Sequence, residues 1–270
     1  MMASTKASAI PKNVFLMTFI DSHTHIILDP YDSDREKVIE EAFTSNVTHI
    51  VLSCDNLDEI QKNLTLTKKY KNIFTSVGIH PHEAKLWDKS SKETIIQYLS
   101  EEKVIAIGET GLDFYYNLSP KEIQLNVFKE QIKIGKETNF PLIIHCRDAF
   151  KETLEILKEE KADYGVFHCY TGDLQTAQEA VKLGFYISWS GILTFKNAQD
   201  LKEIAKEIPL EKTLIETDAP FLTPVPYRGK RNEPKYVRFV AEELGRIKNV
   251  DVEEVGKITS QNAKNLFKMQ

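Results

Sequence analysis

A single (β/α)8 barrel of the TIM type, followed by extra C-terminal helices, is the fold this sequence predicts, and three observations carry the prediction. About eight apolar, β-branched runs recur along the chain. Most are continuously apolar, as parallel strands covered on both faces must be. Segments with helical starts stand between them, so strand and helix alternate throughout. The GxGxxG turn of the rival architecture, an open doubly wound sheet, is missing.

The first strand runs through "VFLMTFI" into "DSHTHI". Successive strand side chains alternate faces, so Asp21, His23 and His25 point the same way. On a helix, residues two apart would diverge and the histidines could not share a target. Ser33 to Glu36, "SDRE", fits a capping box and opens the first helix. "THIVLSC" is the second strand; His49, in "NVTHI", stands at its start instead of ending it and reads as structural or exposed. "IFTSVGIH" is the third, and His82, after Pro81 near a helix start, reads as a loop or cap residue. "SKE" after Ser90 starts the next helix, and "KVIAIGET" is the fourth strand. In "SPKE", Ser119 to Glu122, proline takes the first helical position, where its missing N–H costs nothing. That helix extends to Asn139, with Ile123, Val127, Ile132 and Ile134 set among charges. "FPLIIHC", "YGVFHC", "FYISWSG" and "KTLIETD" complete the strands. The last helices are predicted from about Glu233 to Lys248 and from Val252 to Phe267.

Composition sets the outer bounds. The chain has 270 residues, 41% hydrophobic and 28% charged, enough to bury a sizeable core in one domain. A net charge of −5 argues against a protein that coats nucleic acid through bulk positive charge, although a local basic loop beside a cation would still receive a phosphate. Cys54, Cys146 and Cys169 have no CxxC spacing and cannot all pair, so they read as reduced, mostly buried thiols in a reducing compartment. The expected location is the cytoplasm, or the nucleus in a eukaryote. No apolar run approaches the ~20 residues of a spanning helix, so no membrane partner is expected. Residues 1–16 read as a flexible extension before a domain over 17–270, and Met17 is a second candidate start. The extension has no apolar h-region, and a transit-peptide reading is weakened by its lack of arginine.

The polar residues collect at the ends of the strand runs. His23 and His25 end the first; His80 and His82 the third; Glu109 and Asp113 the fourth. His145, Arg147 and Asp148 end the fifth, His168 the sixth, Glu216 and Asp218 the eighth. In a barrel all these tips meet at one rim, the C-terminal face, where such barrels keep their catalytic groups. A single histidine at a strand end is usually a hydrogen-bonded structural residue. The whole set is harder to explain that way, because burying so many unpaired titratable groups costs several kcal/mol per ion. A bound cation removes that cost. Four imidazoles and two carboxylates exceed one tetrahedral shell, and two ions ~3.5–4 Å apart would use them. Glu109, on a middle strand, is the candidate bridge, and Asp21 reads as a residue orienting a neighbouring histidine or the strand end. The histidine-rich mix suits Zn, Mn, Co or Fe, and a carboxylate-rich position admits Mg.

The ordered motifs "DSHTHI", "GIHPH", "GETGLDFYY", "PLIIHCRDA", "FHCYTG" and "IETDAPFLTP" together resemble the TatD family of metal-dependent deoxyribonucleases, within the amidohydrolase superfamily. The likeness runs from about Phe19 to the C-terminus. It implies a barrel with two divalent ions, Zn, Mn or Mg, and a further position for a third. By motif, His23, His25, Glu109 and Asp218 would hold one ion and Glu109, His145 and His168 the second. His80 and Glu216 match a third-metal or phosphate position. The strand tip where many amidohydrolases carry a bridging carboxylated lysine offers Glu109 here, which fits the TatD-like branch.

The activity implied is hydrolysis of DNA phosphodiesters by a monomer, without organic cofactor, as a 3′–5′ exonuclease favouring single-stranded ends. Asp218 would orient the attacking water and act as general base, with Glu109 the second catalytic carboxylate. Arg147 is expected to clamp a phosphate oxygen, or else to pair with a rim carboxylate. "PYRGKRNEP" carries Arg228, Lys230 and Arg231 and reads as a backbone-holding loop, or as a solvated charge run. Tyr115, Tyr116 and Tyr170 read as base-stacking or as packing residues. Two rivals stand beside this: the same ions hydrolysing another ester or amide, such as an aminoacyl-tRNA ester, and a non-enzymatic scaffold with a vacant site.

Overall fold

The computed structural model describes residues 17–269, so the extension expected over 1–16 lies outside the described residues. Eight strands, β1 (Phe19–Thr24), β2 (Val47–Leu52), β3 (Ile73–Val77), β4 (Val104–Asp113), β5 (Leu142–Arg147), β6 (Gly165–Phe167), β7 (Tyr186–Trp189) and β8 (Thr213–Ile215), form one sheet in sequence order. Every adjacent pair is parallel. Seven helices bridge successive strands: α1 (Arg35–Thr44), α2 (Ile60–Lys69), α3 (Ser91–Tyr98), α4 (Lys121–Thr138), α5 (Phe150–Glu159), α6 (Leu174–Leu183) and α7 (Gln199–Glu207). Two more, α8 (Val237–Lys248) and α9 (Val252–Phe267), follow β8.

The ring closes where the chain beyond β8 lies against β1. The Ser22 hydroxyl donates to the Ile215 carbonyl (3.0 Å). The backbone N–H of Asp218 donates to His23 (3.0 Å), and that of His25 to Ala219 (2.8 Å). This closure brings the first and last strand tips together and so sets His23 and His25 beside Asp218.

Three expected helix caps went elsewhere, each for a tertiary reason. α1 begins at Arg35, one residue inside the "SDRE" box, and the Asp34 carboxylate at its N-cap pairs with both terminal nitrogens of Arg231 (2.8 and 2.7 Å). Ser90 precedes α3 but makes no side-chain cap; Asp88 gathers the Ser90 amide, the Ser90 hydroxyl and the Ser91 hydroxyl instead. Pro120 is the N-cap of α4 rather than its first helical residue, and the Ser119 hydroxyl donates to the His82 carbonyl (2.7 Å) while accepting from the Lys85 amide (3.1 Å). The β4–α4 loop is thereby pinned to the short 3-10 turn Pro81–Leu86 after β3. α8 starts at Val237 rather than Glu233, because the preceding residues Pro234–Tyr236 form their own 3-10 turn.

The N-terminal end of the barrel is sealed by apolar side chains. Ile20, Val51, Ala106, Ile143, Val166 and Leu214 of the strands pack with Ala263, Leu266 and Phe267 of α9 and with Met269. Each large side chain buried this way contributes about 1.5–3 kcal/mol. Close approach of α9 to β1 requires Gly256: a Cβ there would stand 2.7 Å from the Thr18 carbonyl and 3.0 Å from the Phe19 ring. Asn262 anchors the same helix, donating to the carbonyls of Leu210 and Thr213 (both 2.8 Å).

Candidate metal centre

Glu109 sits in the middle of the opposite end, on β4, and is almost wholly buried. Its Oε1 lies 2.7 Å from His168 Nε2, 2.9 Å from His145 Nδ1 and 3.3 Å from His80 Nε2. Its Oε2 lies 3.2 Å from His23 Nε2 and 3.7 Å from His25 Nε2, and accepts from the Ser53 hydroxyl (3.1 Å). Asp218 Oδ1 faces the same two imidazoles, 3.7 Å from His23 and 3.4 Å from His25. One carboxylate is thus shared by five imidazoles delivered by β1, β5, and the chain just beyond β3, β4's partner, and β6. Gly111 makes the neighbouring β4–β5 pairing possible: its φ is +133°, and a Cβ would fall 2.0 Å from the His145 carbonyl.

Three of the rings are backed by a second carboxylate on their outer nitrogen. Asp55 Oδ1 is 3.4 Å from His25 Nδ1. Glu216 Oε1 is 3.3 Å from His168 Nδ1. Asp113 Oδ2 is 3.0 Å from His145 Nε2. An outer carboxylate accepts an N–H, fixes the tautomer and leaves the inner nitrogen with a lone pair for a cation. His80 differs. Its Nδ1 accepts the His82 amide (3.1 Å), so in the neutral ring the proton sits on Nε2, making His80 a donor toward the mouth.

The electrostatics agree. Burial alone would lower the pKa of His25, but Asp55, Asp218 and Glu109 raise it to about 10. His168 is likewise raised against the effect of burial by Glu109 and Glu216, and His145 by Asp113 and Glu109. Burial works to raise Glu109, yet His168, His23 and His80 hold it well below the usual carboxylate range. Burial keeps His80 below the ordinary imidazole value. This is a concentrated negative potential that draws positive charge inward. The donor set fits divalent ions on geometry as well. His23 and His25 bring their Nε2 atoms to 3.1 Å, within the about 2.9–3.4 Å that two nitrogens span when each lies ~2.0–2.1 Å from one ion. Four groups of ligand atoms fall within coordination reach: His23, His25 and Asp218; His23, Glu109 and His168; His80, Glu109 and His145; His25, Asp55 and Glu109.

Other sequence expectations divide. Asp21 is buried and accepts both the amide (2.8 Å) and the hydroxyl (2.6 Å) of Thr217, so it holds the β8 tip next to Asp218. Glu216, expected at a third-ion or phosphate position, is instead fully buried behind His168. Its oxygens are taken up by the Cys169 amide (2.8 Å) and the Ser188 hydroxyl (2.5 Å), so its part is to orient the imidazole. His82 caps nothing; its Nε2 lies 2.9 Å from Asp113 Oδ2, the oxygen that also faces His145. Tyr170 is buried with its hydroxyl on the Asp173 carbonyl (2.6 Å), so it cannot stack on a base. Arg231 is consumed by Asp34 and Glu233 and is no free phosphate contact. Arg147 has no carboxylate partner among the described residues and lies over the rings of Tyr115 and Tyr116. Arg228 is exposed over Phe195 (3.8 Å). His49 is buried at the start of β2, away from the mouth, with its Nδ1 on the Thr48 hydroxyl (3.0 Å).

Sequence reading missed Asp55 and the orienting role of Asp113. Asp55 comes directly after the "VLSC" run of β2, so the rule that strand tips carry the chemistry pointed to it.

A (β/α)8 barrel with imidazoles and carboxylates converging on its C-terminal mouth defines the class, a metal-dependent hydrolase. The chain belongs to the TatD family: the model of TatD related DNases matches residues 20–268. It is 45% identical over 251 residues to YabD of Bacillus subtilis, an uncharacterized metal-dependent hydrolase, covering 92% of this chain and 98% of that one. It is 34% identical over 255 residues to the 3′-5′ ssDNA/RNA exonuclease TatD of Escherichia fergusonii, covering 92% and 98%. The crystal structure of YjjV, a TatD homologue from Escherichia coli, superposes with a TM-score of 0.88 at 28% identity, covering 93% and 98%. No helix among the described residues is long and apolar enough to cross a membrane.

Proposed function

We propose that this hydrolase cleaves phosphodiester bonds of single-stranded DNA, removing nucleotides from the 3′ end. The observation that carries the reading is the Glu109 carboxylate shared by five imidazoles with Asp218 at its edge. His23, His25, Glu109 and Asp218 are assigned to one ion, and Glu109, His145 and His168 to a second. Divalent ions held there supply Lewis acidity at a phosphate oxygen and lower the pKa of a water.

The chain's own groups supply the rest. Hydrogen bonding and charge from His25 keep Asp218 ionised against the effect of its burial. It orients the attacking water and accepts its proton. Asp218 holds that position with φ +56°, a strained value for a non-glycine residue of the kind that recurs at active sites. His80 presents an N–H that suits a phosphate oxygen better than a third ion. Arg147 and Arg228, free of carboxylates at the rim, are the cations left for the backbone of the strand. A relative named as a 3′-5′ ssDNA/RNA exonuclease supports the same substrate class. We also propose a cytoplasmic monomer whose working domain starts at Met17; of these, only the compartment is supported by the free Cys54, Cys146 and Cys169, which suit a reducing one.

The test is an assay of the purified protein with Zn, Mn or Mg on oligonucleotides labelled at either end. Stepwise release of mononucleotides from the 3′ end of single strands is expected. Intact oligonucleotides beside rapid hydrolysis of a carboxylic ester or an aminoacyl-tRNA would overturn the reading.

A further inference from the structure

Two exposed aromatic groups flank the mouth, and the metal cluster does not use them. Tyr115 and Tyr116 follow the tip of β4 and are 57% and 54% exposed. Their rings meet edge-to-face at 4.9 Å. The Arg147 guanidinium lies 4.0 Å from the Tyr115 ring centre and 4.7 Å from that of Tyr116, adding positive charge to an aromatic surface. The pair is held in register with the cluster. The Tyr116 amide donates to Asp113 Oδ1 (2.8 Å), the carboxylate that faces His145, and the Tyr116 ring stands edge-on to His82 at 5.5 Å. On the other side, Phe221 follows β8 and is 52% exposed, edge-on to His25 at 6.1 Å.

Strand order settles how these groups are disposed. In a ring of eight strands arranged β1 to β8, the fourth and eighth are diametrically opposed. The tyrosine pair and Phe221 therefore stand across the mouth from each other, with Glu109 and Asp218, from the same two strands, between them. Exposed apolar surface gathered around a polar cleft marks a ligand-binding site, where scattered single residues would not. Paired walls with a cation on one and a phosphate-binding cluster between match an unstacked single strand, whose bases offer π-faces and whose backbone offers negative charge.

We propose that Tyr115 with Tyr116 and, opposite them, Phe221 are stacking walls that seat one unpaired base on each side of the phosphodiester lying over the Glu109–Asp218 cluster. This inference rests on the nucleic-acid reading above and extends it: the walls fix which bond is presented, and they select single strands because paired bases cannot reach both walls. Arg147 holds the tyrosine rings in place and faces the phosphate next to the seated base.

Binding of a fluorescein-labelled octanucleotide with phosphorothioate linkages tests this, alongside an abasic octamer with the same backbone. The full-length protein, as purified, is compared with Y115A/Y116A, F221A and the conservative Y115F/Y116F. Loss of stacking is worth about 5- to 150-fold in Kd per base. The wild type is expected to prefer the base-bearing strand by at least about 10-fold. The alanine variants lose most of that preference while binding the abasic strand as before, and Y115F/Y116F keeps it. A merely structural role for the rings would weaken both ligands alike. Equal binding of both strands by the wild type, or an unchanged preference in the alanine variants, overturns the walls. If the preference behaves as expected yet no unmodified oligonucleotide is cleaved with Zn, Mn or Mg, the nuclease reading falls and the walls stand. Cleavage with unchanged oligonucleotide KM in the alanine variants removes the walls and leaves the nuclease.

Discussion

The same eight strands have two unlike ends. Along β1, Ile20 points into the apolar seal under α9, and a few residues later His23 joins the polar cluster at the mouth. On β4, Ala106 belongs to the seal and Glu109 to the cluster. Below, side chains meet without charge and contribute by burial and packing. Above, carboxylates and imidazoles are crowded together around Glu109 and Asp218. One end supplies the stability that the other end, crowded with charge, consumes.

Crossed substitutions would break that division if it is wrong. Glu109→Gln removes the negative charge shared by five imidazoles and turns one of its two acceptor oxygens into an NH2 donor, and a loss of ~10³-fold or more in kcat/KM is expected, together with loss of metal measured by elemental analysis. Its cooperative thermal unfolding should persist. Phe267→Ala, at the sealed end, should do the reverse: about 3–5 kcal/mol lost in denaturant unfolding with kcat and bound metal unchanged. Activity surviving in the first variant, or lost in the second while still folded, would show that the ends are not separate in function. Asp113→Asn sharpens the comparison within the mouth. It keeps the shape but weakens the hold on His145 Nε2, and metal affinity is expected to fall about 10–100-fold in a competition titration. An unchanged affinity would mean that His145 needs no orienting partner.

The smallest effect concerns pH. In chelator-treated protein, His25, His145 and His168 have folded pKa values above that of a free imidazole. Their contribution to stability is complete below the unfolded value near ~6.5 and is lost as pH rises through the folded values, about 10 for His25. Melting temperature of the metal-free protein should therefore decline from neutral pH toward pH ~9, by roughly 2–4 °C for each kcal/mol. Metal-loaded protein should not follow, because an ion replaces those protons. Parallel curves for the two forms would remove the mouth from this account.

Much of this was legible in the sequence for a simple reason. Strands buried on both faces must be apolar throughout, so any histidine or carboxylate at their ends stands out; His23, His25, Glu109, His145, His168 and Asp218 were found that way and do meet. What escaped detection depends on partners distant in sequence. Ser119 has the spacing of a helix cap but is drawn to the His82 loop. Asp34 is claimed by Arg231, 197 residues away, which turns an apparent phosphate contact into a structural pair. Glu216 and Asp55 are both carboxylates after strand runs, and only the ring each faces shows that they orient histidines. The exposure of Tyr115 against the burial of Tyr170 is likewise a tertiary outcome.

Gly256 and the residues after it have an implication for biosynthesis. They emerge from the ribosome later than every strand they cover, so a nascent polypeptide with all eight strands already made still has an uncovered oily cavity floor. A chain that stopped before Leu266 would lack Leu266, Phe267 and Met269 over the strand ends, and it is expected to unfold more readily than the full-length enzyme.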